Sequence, residues 1–221
     1  MIKILISIIT ILLLISCENN DIEIKKKVDK SSKNKIILAL WDSLTAWYNL
    51  DLADSYPMQL QKILTQKWYD YKVINAWVSW NTTLQLLDRL DLYLTETDKT
   101  PEIAIIVIWW NDWLRWTKIS DIEENIEQII NRLKEKNIKI VLWWMKIPPN
   151  LWISYGNDFF NIYEKVTKKT SIYLINFFLE WVAWKHDLNL SDWIHPNKKW
   201  YEIISKNVFE FLKNNNLIQN D

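Results

Sequence analysis

The chain has 221 residues, 24% of them charged, with a formal net charge of +0 and a pI near 6.8. That balance excludes a basic nucleic-acid-binding surface as the organising feature, and the length suits one domain with a sizeable core. The outlying numbers are sixteen Trp against a single Gly, where an ordinary protein of this size carries roughly fifteen glycines, at about 7% of residues.

At the N-terminus, Lys3 precedes an apolar run from Ile4 to Ile15 that only Ser7 and Thr10 interrupt. The run has the length of a signal-peptide hydrophobic region and falls short of the roughly 20 residues of a membrane span. It ends Leu14-Ile15-Ser16-Cys17, which resembles the bacterial lipobox, whose cysteine becomes the lipidated first residue. Cys17 is the only cysteine, so it has no internal disulfide partner. The expected organisation is a lipoprotein signal peptide over residues 1–16, a polar tether over 17–35 and a folded domain over 36–215. The expected partner at this end is the membrane, held through the lipid chains, each buried CH₂ contributing about 0.8 kcal/mol.

From Ile36 onward, short apolar runs alternate with amphipathic stretches, the pattern of a parallel α/β sheet. Strands are predicted at Ile36–Leu40, Lys72–Asn75, Ile103–Ile108, Ile138–Leu142 and Ile172–Asn176. None shows the alternation of a half-exposed strand. Asp54 and Ser55 ahead of Pro57 predict an early helix. Ser120-x-x-Glu123 reads as a capping box opening a helix whose stripe is Ile122, Ile126, Ile129, Ile130 and Leu133. A later helix is expected over Asp158–Lys169, and a last one after Pro196-Asn197, burying Tyr201, Ile204, Val208, Phe211 and Leu212.

The tryptophans stand where a backbone needs glycine. Trp68 falls at the C′ site of the first helix, where a left-handed glycine is usual, and Trp109 and Trp110 sit together at a strand end. A bulky aromatic at positive φ is an outlier, whereas Gly is at home there. The pattern is that of UGA codons decoded as glycine in the cell and written as Trp by the standard table. Three Arg against twenty-four Lys fits the AT-rich genome in which such recoding would sit.

Four blocks carry chemistry. Trp41-Asp42-Ser43-Leu44 follows the first strand and becomes Gly-Asp-Ser-Leu on the codon reading, placing a serine at the carboxyl edge of the sheet beside a helix start. Asn75 to Thr82 follows the second strand, and a glycine at position 80 would let its N–H approach an oxyanion. Trp109-Trp110-Asn111-Asp112 becomes Gly-Gly-Asn-Asp, with an Asn amide able to donate to the same oxygen. Ser191-Asp192-Trp193-Ile194-His195-Pro196 supplies a carboxylate and an imidazole at the spacing by which an acid can orient a base. The other histidine, His186, beside Asp187 in a polar stretch, reads as solvated.

In this order the blocks resemble the SGNH, or GDSL, family of serine hydrolases, close to its thioesterase, arylesterase and lysophospholipase branch, over roughly Lys35 to Leu212. The resemblance implies an α/β, flavodoxin-like fold: a three-layer αβα sandwich around a five-stranded parallel sheet. It implies Ser43 as nucleophile, Asp192 and His195 as triad partners, and an oxyanion hole from the N–H groups of Ser43 and Trp80 and the Asn111 side chain. The implied substrate is a small-molecule or lipid ester, and no metal or organic cofactor is expected. Trp at 41, 80, 109, 110 and 193 departs from family glycines. The alternatives are a carbohydrate O-acetylesterase and, should the tryptophans be genuine, a non-catalytic ligand-binding surface lipoprotein.

Overall fold

A computed structural model describes residues 35–41, 51–95, 99–108, 110–143, 153–175, 188 and 197–220, all within a unit spanning Lys33–Asp221. Strands β1 (Lys35–Trp41), β2 (Tyr71–Trp77), β3 (Ile103–Val107), β4 (Lys139–Trp143) and β5 (Tyr173–Ile175) form one sheet in the order β2-β1-β3-β4-β5. Every pairing is parallel, with Ile37 opposite both Val73 and Ile103, Ile103 opposite Lys139, and Val141 opposite Tyr173. The reason is in the sequence: Ile37–Leu40 and Ile103–Ile106 are aliphatic at every position and fully buried, as strands covered on both faces must be.

Among the described residues, six α-helices connect and cover the strands: α1 (Tyr56–Gln66), α2 (Thr83–Thr95), α3 (Trp110–Leu114), α4 (Ile119–Glu135), α5 (Ile153–Thr170) and α6 (Lys198–Asn214). Helix α1 packs on α6, while α2 packs on α4 and α4 on α5. Right-handed crossovers put α1 on one face and α2, α4 and α5 on the other, which makes the three-layer αβα sandwich. Between α1 and α6, the buried Ser205 hydroxyl lies 2.6 and 3.1 Å from the carbonyls of Tyr201 and Tyr56. Asn197 caps α6, its side chain accepting from the Trp200 N–H.

Two helix starts differ from expectation. The Ser120 capping box does not form: α4 begins at Ile119, with Lys118 as its N-cap and no side-chain cap bond. The Lys118 carbonyl already accepts from Asp121 and Ile122, so Ser120 lies inside the first turn and its hydroxyl turns to Asp121, at 3.1 Å. Glu123 instead holds Lys165 of α5 at 2.8 Å. Helix α5 begins at Ile153 rather than Asp158 and carries Gly156. One helical glycine costs only about 1 kcal/mol, less than the burial of Phe159, Ile162, Tyr163 and Val166 returns.

The helix C-termini repeat one motif with different residues. Past α1, the Tyr69 N–H reaches the Leu64 carbonyl and the Trp68 N–H that of Thr65, with Trp68 at φ 63°. The same pair of bonds closes α3 at Trp116 (φ 54°), α4 at Asn137 (φ 57°) and α6 at Asn216 (φ 54°). These are Schellman caps, whose left-handed residue is usually Gly and sometimes Asn. Two of the four carry tryptophan, and both indoles are exposed, Trp68 at 88%. By contrast Trp143 and Trp200 are fully buried, Trp143 edge-on to Tyr56 with ring centroids 5.6 Å apart.

Candidate active site

The strand order turns at β1: the chain passes from β1 outward to β2 and returns to β3 on the other side of β1. Trp41, the last residue of β1, is level with Trp77, the last of β2, and with Val107, the last of β3. Three carboxyl ends thus finish in one row at the topological switch point, where open α/β sheets take their ligands. The cavity of about 450 Å³ lined by Gln61, Thr65 and Lys72 lies at the amino end of β2, away from this row.

Two loops meet above the row. The one after β2 carries Trp80 at φ 63° with an indole 64% exposed. The one after β3 enters α3, whose Asn111 is 1% exposed. Asn111 Nδ2 donates to the Asn81 carbonyl at 2.9 Å. That bond fixes the amide, since the reversed orientation would set two oxygens against each other. One N–H of Asn111 is therefore used and its second remains for another acceptor, while its buried Oδ1 has no partner among the described residues. Arg115, just past α3, donates to the Trp80 carbonyl at 3.0 Å.

Beneath these groups lies a buried polar cluster. Asp112 is fully buried and accepts from both the N–H and the hydroxyl of Thr83, each at 2.8 Å, while Asn125 Nδ2 donates to the Thr83 hydroxyl oxygen at 3.1 Å. Thr83 opens α2, so the carboxylate caps that helix from another part of the chain and meets its positive dipole end. Burial pushes the Asp112 carboxyl above the usual carboxylate range, and the two Thr83 hydrogen bonds pull it back down. A capping box completes the helix start: the Thr82 N–H donates to the Gln85 side chain at 3.0 Å, and the Gln85 N–H to the Thr82 hydroxyl at 3.3 Å.

Of the residues expected at the site, the structure brings Trp80 and Asn111 together at the row of strand ends. Ser43, Asp192 and His195 lie outside the described residues, as does Cys17. Their neighbours are described: β1 ends two residues before Ser43 in the sequence, and Asn197, the cap of α6, comes two residues after His195. Sequence reading gave no role to Asp112, Thr83, Asn125 or Arg89. The Thr82-x-x-Gln85 spacing was the available signal for the α2 start.

Comparisons with known proteins agree with this geometry. Residues 39–203 match the GDSL-like Lipase/Acylhydrolase family. An arylesterase of Vibrio mimicus is 32% identical over 166 residues, 75% of this chain and 82% of its own. Esterase TesA of Pseudomonas aeruginosa is 30% identical, over 80% of this chain and 87% of its own. Among solved structures, the psychrotrophic esterase EstA from Pseudoalteromonas sp., inhibited by monoethylphosphonate, superposes with a TM-score of 0.76 at 29% identity, covering 82% of this chain and 98% of its own.

The fold and the row of strand ends are those of an ester-hydrolysing α/β enzyme. The chain belongs to the GDSL-like lipase/acylhydrolase family, on the side of its arylesterase and TesA-type members.

Proposed function

We propose that this protein is an exported, lipid-anchored serine esterase that hydrolyses acyl esters through an acyl-enzyme on Ser43. The observation that carries the reading is the level row of Trp41, Trp77 and Val107, from which the Ser43 segment, the Trp80 loop and Asn111 all issue. Asp192 orients the His195 imidazole. His195 takes the Ser43 proton as Oγ adds to the acyl carbon, and the carbonyl electron pair moves onto oxygen, which meets the N–H groups of residues 43 and 80 and the Asn111 amide. Collapse expels the alkoxide, which takes the proton from His195, and water then repeats the sequence on the acyl-serine. The phosphonate-inhibited neighbour supports the test. A fluorophosphonate should label the peptide carrying Ser43, and Ser43→Ala should lose both the label and p-nitrophenyl butyrate hydrolysis; retained hydrolysis would sink the reading.

The second part of the proposal is that UGA is read as glycine in the native cell. Trp68, Trp80 and Trp116 all stand at φ between 54° and 63° with exposed indoles, positions where a Cβ costs about 1–2 kcal/mol. The family glycines at 41, 80, 109, 110 and 193 point the same way. Mass spectrometry of the native protein across Leu40 to Trp47 tests it, because Gly and Trp residue masses are far apart. Buried Trp143 and Trp200 are the positions at which UGG codons would be expected if some tryptophans are genuine. UGG at Trp41, Trp80 and Trp110 would end the proposal.

Cys17 as a thioether-linked lipid carrier is the third part. Metabolic labelling with an alkyne fatty acid, lost in Cys17→Ser, is the outcome expected. An unlabelled wild-type chain would remove the anchor.

A further inference from the structure

The chain has three arginines against twenty-four lysines, and all three donate to the stretch formed by the end of β2, its loop and α2. Arg89 of α2 sends Nε to the Asn81 side-chain oxygen at 2.5 Å and a terminal nitrogen to the Ala76 carbonyl at 2.9 Å. Its guanidinium lies 5.0 Å from the Tyr93 ring centroid. Arg115 holds the Trp80 carbonyl, and Arg132 holds the Leu87 carbonyl and the Asp91 carboxylate at 3.3 and 3.2 Å. Between Trp77, where the ladder with β1 stops, and Thr82, where the α2 capping box begins, the chain makes a turn at Ser79 and Trp80, with Trp80 at φ 63°. Side chains brace that turn: Arg89 at Ala76 of β2 and at Asn81, Arg115 at residue 80 and Asn111 at residue 81.

We propose that Arg89 and Arg115 are positioning residues for catalysis, clamping the carbonyls of Ala76 and Trp80 and the side chain of Asn81 so that the residue-80 N–H is held beside the Asn111 amide as a preformed pair of oxyanion donors. This rests on the serine-esterase reading above. Arginine is required at 89 because its two acceptors are five residues apart in the chain and lie before two different nitrogens of one planar fork; a lysine ammonium offers a single point. At 115, one charged donor acts on the carbonyl that follows the residue-80 Cα and so fixes its ψ. The neighbouring residue is already tied through Asn111, which makes the donor geometry a property of the free enzyme.

The test uses the full-length chain in detergent, with glycine at positions 41, 68, 80, 109, 110, 116 and 193, and compares Arg89→Lys, Arg115→Ala and Arg115→Lys with that parent. The expected result on p-nitrophenyl butyrate is a kcat lower by about tenfold in Arg89→Lys and Arg115→Ala, a part of the 10²–10³ that loss of a whole donor costs. KM should stay within about twofold, since ground-state binding is untouched. Hydrogen–deuterium exchange at Thr82 and Thr83, whose N–H groups are held by Gln85 and Asp112, should speed up in both variants while α4 stays protected. Arg115→Lys should recover most of the loss at that site, as should free guanidinium added to Arg115→Ala. An active parent whose variants keep kcat, or lose only KM or melting temperature, overturns the positioning role and leaves the esterase reading standing. An inactive parent overturns the esterase reading, and the positioning role with it.

Discussion

Asp112 takes both hydrogen-bonding groups of Thr83, the backbone N–H and the hydroxyl, each at 2.8 Å, and so fastens the start of α2 to the end of the β3 loop. The residue that caps the helix is adjacent to Asn111 in α3. Cap and Asn111 therefore move as one piece, and the helix start that supports the Trp80 loop shares its anchor with the Asn111 side chain.

Asp112→Ala should accordingly cost about 2–4 kcal/mol, because it leaves a buried N–H and a buried hydroxyl without their charged acceptor. Asp112→Asn should cost less and should change the pH dependence. The folded state favours the protonated acid, so the stability this group contributes is full below the ordinary Asp value near 3.9 and is lost as pH rises through the raised native value. Urea unfolding across the acid range should show the wild-type advantage over Asp112→Asn shrinking as pH increases. An advantage that grows with pH over that window would contradict the assignment.

Asn111→Ala should lower kcat by about 10²–10³ with little change in KM, the signature of a donor used only in the transition state. Asn111→Asp should be no better, since a carboxylate would face the Asn81 carbonyl that now accepts from Nδ2. Steady-state kinetics with p-nitrophenyl esters decide this, and an Asn111→Ala enzyme that loses only KM would move the donor role elsewhere.

Trp68→Gly should stabilise the literal chain by about 1 kcal/mol, since it relieves a left-handed aromatic and gives up an indole that is 88% exposed. Asn137→Gly, at the same position of α4, should gain only a few tenths, because Asn already tolerates that conformation. Trp143→Gly should go the other way by more than about 3 kcal/mol, the usual scale for emptying a buried aromatic site. Thermal melts of the three variants rank them, and equal gains at 68 and 137 would count against backbone strain at Trp68.

Ser43→Ala and His195→Ala should each remove nearly all esterase activity, while His186→Ala leaves it within a few-fold. Asp192→Asn should be severe and incomplete, as the carboxylate orients the imidazole without exchanging the proton. The kcat/KM of the parent should fall as pH drops through the imidazole range, about 6.5 when unperturbed. A pH profile flat across that range, with His195→Ala active, would exclude histidine as the base.

The sheet was legible because its strands are buried on both faces: runs such as Ile103–Val107 can be little else, and each strand edge was read to within one or two residues. The α4 stripe and the left-handed site at Trp68 were legible for similar reasons, since periodicity and helix termination are local. The start of α4 was misplaced because its hydrogen bonds begin at the Lys118 carbonyl, whose backbone does what a capping side chain was expected to do. The α2 cap could not be seen at all, because Thr83 and Asp112 are brought together only by the folded sheet. Arg89 was unreadable for the related reason that its acceptors are a backbone carbonyl and an amide whose directions the sequence leaves open. The Asn111 block was recognised through its motif, and its tie to Asn81 came only with the fold.

The first tryptophan of the chain is Trp41, the end of the strand that both β2 and β3 pair with. If its codon is UGA, a cell that treats UGA as a stop would release a fragment ending at Leu40, with all of β1 but its last residue made, neither β2 nor β3 to lie beside it, and none of the chain that follows. The gene would then be mute in most bacteria that acquired it, so the enzyme could spread only between lineages that share the same tRNA.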